Sequence, residues 1–214
     1  MRKLKIFAAL CCAILCNIRC ADAQNYNFYH MYVDLGLSVK WATCNVGATK
    51  PEEYGNYYAW GETQTKRVYS QNNYKYGTYD GDFCTLTKYT VTDGVTLKAT
   101  DDAASVNWGG TWRMPTIAEW QELENNCSWT QTTLNGVNGY KVKSKVNGNT
   151  IFLPAAGSRN GSSLDGDGDA GYYWSSSLNM RYPGGAWRML FSSWATDRVG
   201  GYRYYGCTIR PVCE

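Results

Sequence analysis

The sequence is poor in histidine, with His30 the only one in 214 residues. A Ser-His-Asp or Cys-His catalytic arrangement uses imidazole as its general base, and His30 lies in a short segment near the N-terminus. Beyond residue 23 no two cysteines have C-x-x-C spacing, which argues against a Cys/His zinc site. We therefore expect no catalytic residues, no metal and no cofactor.

A hydrophobic run long enough to cross a bilayer is also lacking. The apolar stretch over residues 6–16 is far too short for that. It follows a basic start and precedes Ala21-Asp22-Ala23, which has the small-x-small pattern of a cleavage site. These features predict an exported protein, secreted or held at the outer cell surface, with no transmembrane segment. The expected division is a signal peptide (1–23), a short tail (24–30) and a single domain (31–214).

An excess of charge of one sign is lacking in the expected mature chain. The signal contains four of the 21 basic residues and one of the 18 acidic residues, which leaves 17 of each. A neutral domain has no electrostatic basis for binding nucleic acid or an anionic membrane. Five cysteines remain, so at least one thiol is unpaired or joins two chains; they are Cys44, Cys84, Cys127, Cys207 and Cys213.

The N-terminal half of the domain has the texture of short strands and loops. Residues 31–48 alternate apolar and polar side chains and break at glycines, which indicates strands. Residues 54–62 and 69–90 are rich in Tyr, Gly, Asn and Thr without helical periodicity, and we expect long ordered loops with short strands there.

Helix and hairpin signals follow. Acidic residues before an Ala pair predict a short helix just after Asp101. Thr116 and Glu119 form a capping box that predicts a second helix over residues 117–125. Asn147-Gly148 between two alternating runs predicts a hairpin. Because strand texture returns after Gly171, we expect an α+β fold with a mostly antiparallel sheet and two helices.

Carboxylates suggest two further chemistries. Asp165, Asp167 and Asp169 are spaced as in the opening of a calcium loop, but Ser176 occupies the position where an EF-hand has its Glu. A solvated acidic turn and a calcium site both stay open. Glu62 with Glu119 or Glu122 would be a carboxylate pair for glycoside hydrolysis, although the helix cap explains Glu119 better.

The last 43 residues contain ten aromatic residues and five arginines but no lysine. Tyr, Trp and Arg carry much of the energy of protein recognition, so a binding surface is favoured over side chains that merely cover the sheet. Strand alternation places Trp174, Trp187 and Phe191 inward. The candidate ligand-binding residues are Arg181, Tyr182, Arg188, Trp194, Asp197, Arg198, Tyr202, Arg203, Tyr204 and Tyr205.

Several strings together resemble a known family: VDLGLSVKWATCNVGATKPEEYGNYYAWGET, DDAASVNWGGTWRMPTIAEW, IFLPAAGSRNG, GYYWSSS and the IRPV end. Over residues 31–213 the chain is similar to the Fibrobacter succinogenes major paralogous domain. The resemblance implies a C-type-lectin-like fold in an exported protein that binds a partner. Through the WRMPT region it also implies a distant relation to formylglycine-generating enzymes.

The C-terminal region has a narrower resemblance, to the variable region of retroelement-diversified proteins with a lectin-like scaffold. Such diversification does not produce Lys, Glu or Gln, and residues 178–207 contain none of the three. The resemblance implies that Met180, Trp187, Met189 and Trp194 belong to the scaffold. The display positions that it implies are Arg181, Gly184, Gly185, Arg188, Ser193, Ala195, Asp197, Val199, Gly201, Tyr202, Tyr204 and Tyr205.

These observations predict a non-enzymatic binding protein whose partner is a protein or glycan ligand at the cell exterior. One alternative is a structural or adhesive, fimbria-like surface subunit, which would need a donor strand or an open sheet edge. The other is an enzyme of the formylglycine-generating type. Its reactive cysteine pair would have to be Cys207 and Cys213.

Overall fold

The structure, a computed structural model, describes residues 30–80, 83–90, 92 and 94–214. The expected signal peptide and all of the expected tail except His30 lie outside the described residues. His30 stacks on Trp108, with ring centroids 3.7 Å apart.

The described residues form short strands and two α-helices. The helices are α1 (Ala103–Trp108) and α2 (Ile117–Asn126), and two 3-10 turns cover Gln71–Asn73 and Ala99–Asp101. The strands are β1 (Tyr32–Val33), β2 (Lys40–Ala42), β3 (Gly77–Asp80), β4 (Phe83–Leu86), β5 (Cys127–Leu134), β6 (Val137–Ser144), β7 (Thr150–Pro154), β8 (Ala156–Asn160), β9 (Ser163–Asp167), β10 (Ala170–Leu178), β11 (Gly185–Ser192), β12 (Thr196–Tyr202) and β13 (Val212–Cys213).

The strands form four sheets in the described part of the chain. Their orders are β1-β2-β13, β3-β4, β5-β6-β7 and β12-β11-β10-β8-β9. Strand pairing is antiparallel throughout, except that β8 and β10 run parallel. The structure therefore confirms the coarse prediction of an α+β fold with mostly antiparallel sheets.

The local signals of the sequence are confirmed where they are strongest. The Thr116 side chain accepts from the amide of Glu119, and the Glu119 side chain accepts from the amide of Thr116, so the predicted capping box begins α2. Asp102 caps α1 by accepting from the amide of Ser105. Gly148 has φ +79° in the turn between β6 and β7, a backbone conformation that glycine adopts without strain.

Two groups of buried side chains form the core. One surrounds Trp41, Trp120 and Phe191 beneath α2 and the sheets, and the other surrounds Trp60 and Trp174 beneath the loops that precede α1. Trp174 and Phe191 are fully buried, as predicted, but Trp187 is only partly buried. Trp187 occupies the same strand face as Met189 and Phe191, but its side chain is not fully buried there.

The chain end also differs from expectation. The strand texture after Gly171 predicts a strand over residues 202–212, but only Tyr202 of this segment belongs to β12, and β13 covers only residues 212–213. Arg210 in between is fully buried and donates hydrogen bonds to Asn45 Oδ1 (2.8 Å) and to the carbonyls of Ala42, Thr43 and Phe152 (2.9–3.0 Å). These acceptors offset the cost of burying a cation and tie the C-terminal segment to β2 and β7.

Candidate ligand-binding site

The candidate site is built on the hairpin of β11 and β12. Gly185 lies opposite Tyr202 at one end of the hairpin, and Phe191 lies opposite Thr196 at the other. Met189 and Phe191 point into the core, so β11 is anchored by its buried face. The turn that precedes β11 and the segment that follows β12 meet at the Tyr202 end.

Four tyrosines gather at that end: Tyr182, Tyr202, Tyr204 and Tyr205, here called the tyrosine patch. Tyr202 stacks on Tyr204 with centroids 5.3 Å apart, and it meets Tyr182 and Tyr205 edge-on at 6.1 and 5.5 Å. Tyr182 is 54% exposed and Tyr202 45% exposed, whereas the other two are half-buried. The rings hold one another in place and leave part of their surface to solvent.

A depression of about 250 Å³ opens beside the patch and is here called the concavity; its lining residues are Tyr182, Arg188, Gly200, Gly201, Tyr202 and Tyr205. Gly201 allows a close approach of Arg188. A Cβ added at Gly201 would lie 2.7 Å from Arg188 Nε, so the arginine side chain would have to move to accommodate it. The bare backbone of Gly201 therefore lets the Arg188 guanidinium lie against β12.

Arg188 lies among aromatic rings. Its guanidinium carbon is 4.4 Å from the ring centroid of Tyr172, 5.9 Å from that of Trp174 and 5.8 Å from that of Tyr205. Nη1 donates to Cys207 Sγ at 3.6 Å, and Nε is buried without a hydrogen-bond partner. Among the described residues, no carboxylate lies within 4.0 Å of this guanidinium.

Arg203 contradicts the expectation that it faces a ligand. Its side chain is fully buried, and it donates to the carbonyls of Lys88 at 3.1 Å and Tyr89 at 2.5 Å. Its guanidinium also lies 4.9 Å from the Trp60 ring centroid. The chain turns away from β12 after Tyr202, so Arg203 points to the interior and holds the loop at residues 88–89.

Three other predicted residues lie outside the tyrosine patch, in β12 or in the turn before it. Trp194 is 90% exposed in the turn between β11 and β12. Asp197 is exposed nearby, and Arg198 Nε pairs with Glu124 on α2 at 3.0 Å. The register separates the two ends of the hairpin by six residue steps, which correspond to about 20 Å. The structure therefore does not bring these residues together with the tyrosine patch.

The remaining predicted residue, Arg181, is exposed in the turn before β11, next to Tyr182. Sequence reasoning omitted Tyr172, whose ring faces the Arg188 guanidinium, and Gly200, which lines the concavity. The Gly-Gly pair at 200–201 inside a strand was the available signal, because glycine in a strand often marks a close approach.

The acidic side chains do not converge on one site. Glu62 pairs with Lys66, Glu119 with Arg113, and Glu122 accepts from Ser38. Asp165, Asp167 and Asp169 are all exposed on β9 and its following turn. Among the described residues, no group of three or more His, Cys, Asp or Glu could hold a metal ion.

Cys207 and Cys213 are both fully buried. Burial raises the pKa of the Cys207 thiol, an effect that Arg188 only partly offsets. A buried thiol with a raised pKa is a weak nucleophile.

Scans of protein-family models, of curated proteins and of solved structures found no match to this chain. Within the described residues, no helix has the length and apolar character needed to span a membrane.

Proposed function

We propose that this chain is an exported, non-enzymatic binding protein that holds its ligand at the tyrosine patch and concavity. The observation that carries the proposal is the arrangement of exposed Tyr182 and Tyr202 around a depression with Arg188 in its wall. Partly exposed tyrosines that are fixed by neighbouring rings offer contact area at a low entropic cost. Arginine adds directed hydrogen bonds to the same surface.

The scaffold belongs to the same proposal. A C-type-lectin-like fold in the Fibrobacter succinogenes major paralogous domain family would combine antiparallel sheets, two helices and long ordered loops. The α+β architecture supports this assignment at the level of fold class. The patch lies within the segment that resembles a retroelement-diversified variable region, which supports a role in ligand recognition.

Selection against two kinds of library tests the function. Immobilised protein would be screened with a displayed library of random peptides and with a glycan array, and each binder would be measured again on Tyr182→Ala and Tyr202→Ala variants. We expect each substitution to weaken binding by about tenfold or more, as for an interface hot spot. Val106→Ala is the matched control, because Val106 is exposed on α1, outside the patch. Binders that respond to neither tyrosine would contradict the proposal.

A further inference from the structure

No described residue provides an anionic partner for the Arg188 guanidinium. Three rings surround this group, Gly201 packs against it, and its Nε has no acceptor. Burial of an N–H without an acceptor destabilises a fold. Nε itself is buried, so an acceptor from a ligand would meet the guanidinium where Arg188 lines the open concavity.

The surroundings of Arg188 favour an anion. Arg181 adds a second positive charge in the turn before β11, next to Tyr182. The lining of the concavity contributes no carboxylate, and Glu124 is already paired with Arg198. A planar carboxylate fits the fork of a guanidinium with two parallel hydrogen bonds.

The walls indicate which molecule carries the carboxylate. Apart from Arg188, the lining consists of tyrosines and glycines, without Asn, Gln, Asp or Glu. To the hydroxyl groups of a sugar ring the lining offers tyrosine hydroxyls, one guanidinium and backbone groups, but no amide or carboxylate side chain. An Asp or Glu side chain needs one cation at its tip and apolar contact along its stem, and Tyr182 and Tyr205 offer that contact.

We infer that the concavity binds the carboxylate of an acidic side chain on a protein partner, an inference that rests on the proposed function. Arg188 is the residue that selects this carboxylate. The tyrosine patch then contacts the surface around that side chain. Loss of one charged hydrogen-bonding partner is expected to weaken binding about 10- to 100-fold.

Peptide selection tests the inference. A displayed library of random peptides would be selected on the wild-type protein, on Arg188→Met and on Arg67→Met, whose arginine is exposed outside the concavity. We expect wild type and Arg67→Met to enrich one Asp or Glu position, and Arg188→Met to lose that preference. In a selected peptide, replacement of the acid by its amide should weaken binding to wild type 10- to 100-fold and binding to Arg188→Met hardly at all. Melting curves of each variant check that it is folded.

The contrary outcomes separate the two proposals. Peptides that depend on Tyr202 but show no acidic preference would overturn the inference and leave the proposed function standing. Failure to obtain any ligand that depends on Tyr182 or Tyr202 would overturn both. Methyl glucuronide bound at Arg188, with no acidic peptide enriched, would overturn the assignment to a protein carboxylate.

Discussion

Arg188 and Arg203 both lie in the C-terminal segment, but we expect their replacement by methionine to affect different properties. Arg203→Met should lower the stability of the fold, whereas Arg188→Met should weaken ligand binding. Arg203→Met removes two charged hydrogen bonds to the carbonyls of Lys88 and Tyr89 and the contact with the Trp60 ring. Arg188→Met removes ring contacts and one weak bond to Cys207 Sγ, but it also relieves a buried Nε that has no acceptor.

The magnitudes follow from these contacts. Each of the two charged hydrogen bonds at Arg203 is worth about 1.5–3 kcal/mol, so we expect Arg203→Met to lower the free energy of unfolding by about 3–6 kcal/mol. At Arg188 the ring contacts contribute about 0.5–2 kcal/mol, and the unsatisfied N–H costs about 1–3 kcal/mol. These effects oppose each other, so the net change in the free energy of unfolding is expected to lie between a loss of about 1 kcal/mol and a gain of about 2.5 kcal/mol.

Thermal unfolding followed by circular dichroism measures both variants. For a domain of this size, 1 kcal/mol corresponds to about 2–4 °C in Tm. We expect Tm to fall by about 6–24 °C for Arg203→Met and by no more than about 4 °C for Arg188→Met. Binding of a selected acidic peptide should weaken about 10- to 100-fold in the second variant only, under conditions where both are folded. A large stability loss for Arg188→Met would show that Arg188 is structural and would refute the reasoning.

Three further predictions concern the same contacts and their surroundings. Gly201→Ala places a methyl group against Arg188 Nε, so a binding titration should show a loss of about tenfold; unchanged affinity would contradict the role of the glycine. Burial would raise the pKa of Asp101, but hydrogen bonds from Lys88 and two tyrosines outweigh it and hold the pKa below its usual value. Asp101 therefore stabilises the fold above about pH 4 and loses this effect as the pH falls through its folded pKa. Urea unfolding should show Asp101→Asn less stable than wild type at pH 7, with the difference shrinking below pH 4; a difference that persists in acid would contradict this. Because Cys207 is fully buried, mass spectrometry after brief treatment of native protein with iodoacetamide should find it unmodified; rapid labelling would show that the thiol is accessible.

Signals carried by neighbouring residues were readable from the sequence. The capping box at Thr116 and Glu119 and the turn at Asn147-Gly148 depend on a few adjacent residues, and both features are present. The fold class followed from the order of such segments. None of these signals required knowledge of which strands are neighbours in space.

Neighbouring residues in the sequence did not predict which arginines are buried and which one lines the concavity. Arg188 lies beside an open depression, Arg203 bonds to carbonyls from residues 88–89, and Arg210 bonds to carbonyls from residues 42–43 and 152. Composition gives the number of arginines but not their acceptors, because those acceptors are backbone groups far away in the sequence. The distance between Trp194 and the tyrosine patch likewise depends on the hairpin register.

The most direct test of ligand binding at the concavity is an NMR titration that observes the arginine Nε–H resonances while a selected acidic peptide is added. We expect the Arg188 resonance to shift and saturate with the peptide, while the buried Arg203 and Arg210 resonances stay in place. Shifts confined to arginines outside the concavity, with Arg188 unchanged at saturation, would contradict the account.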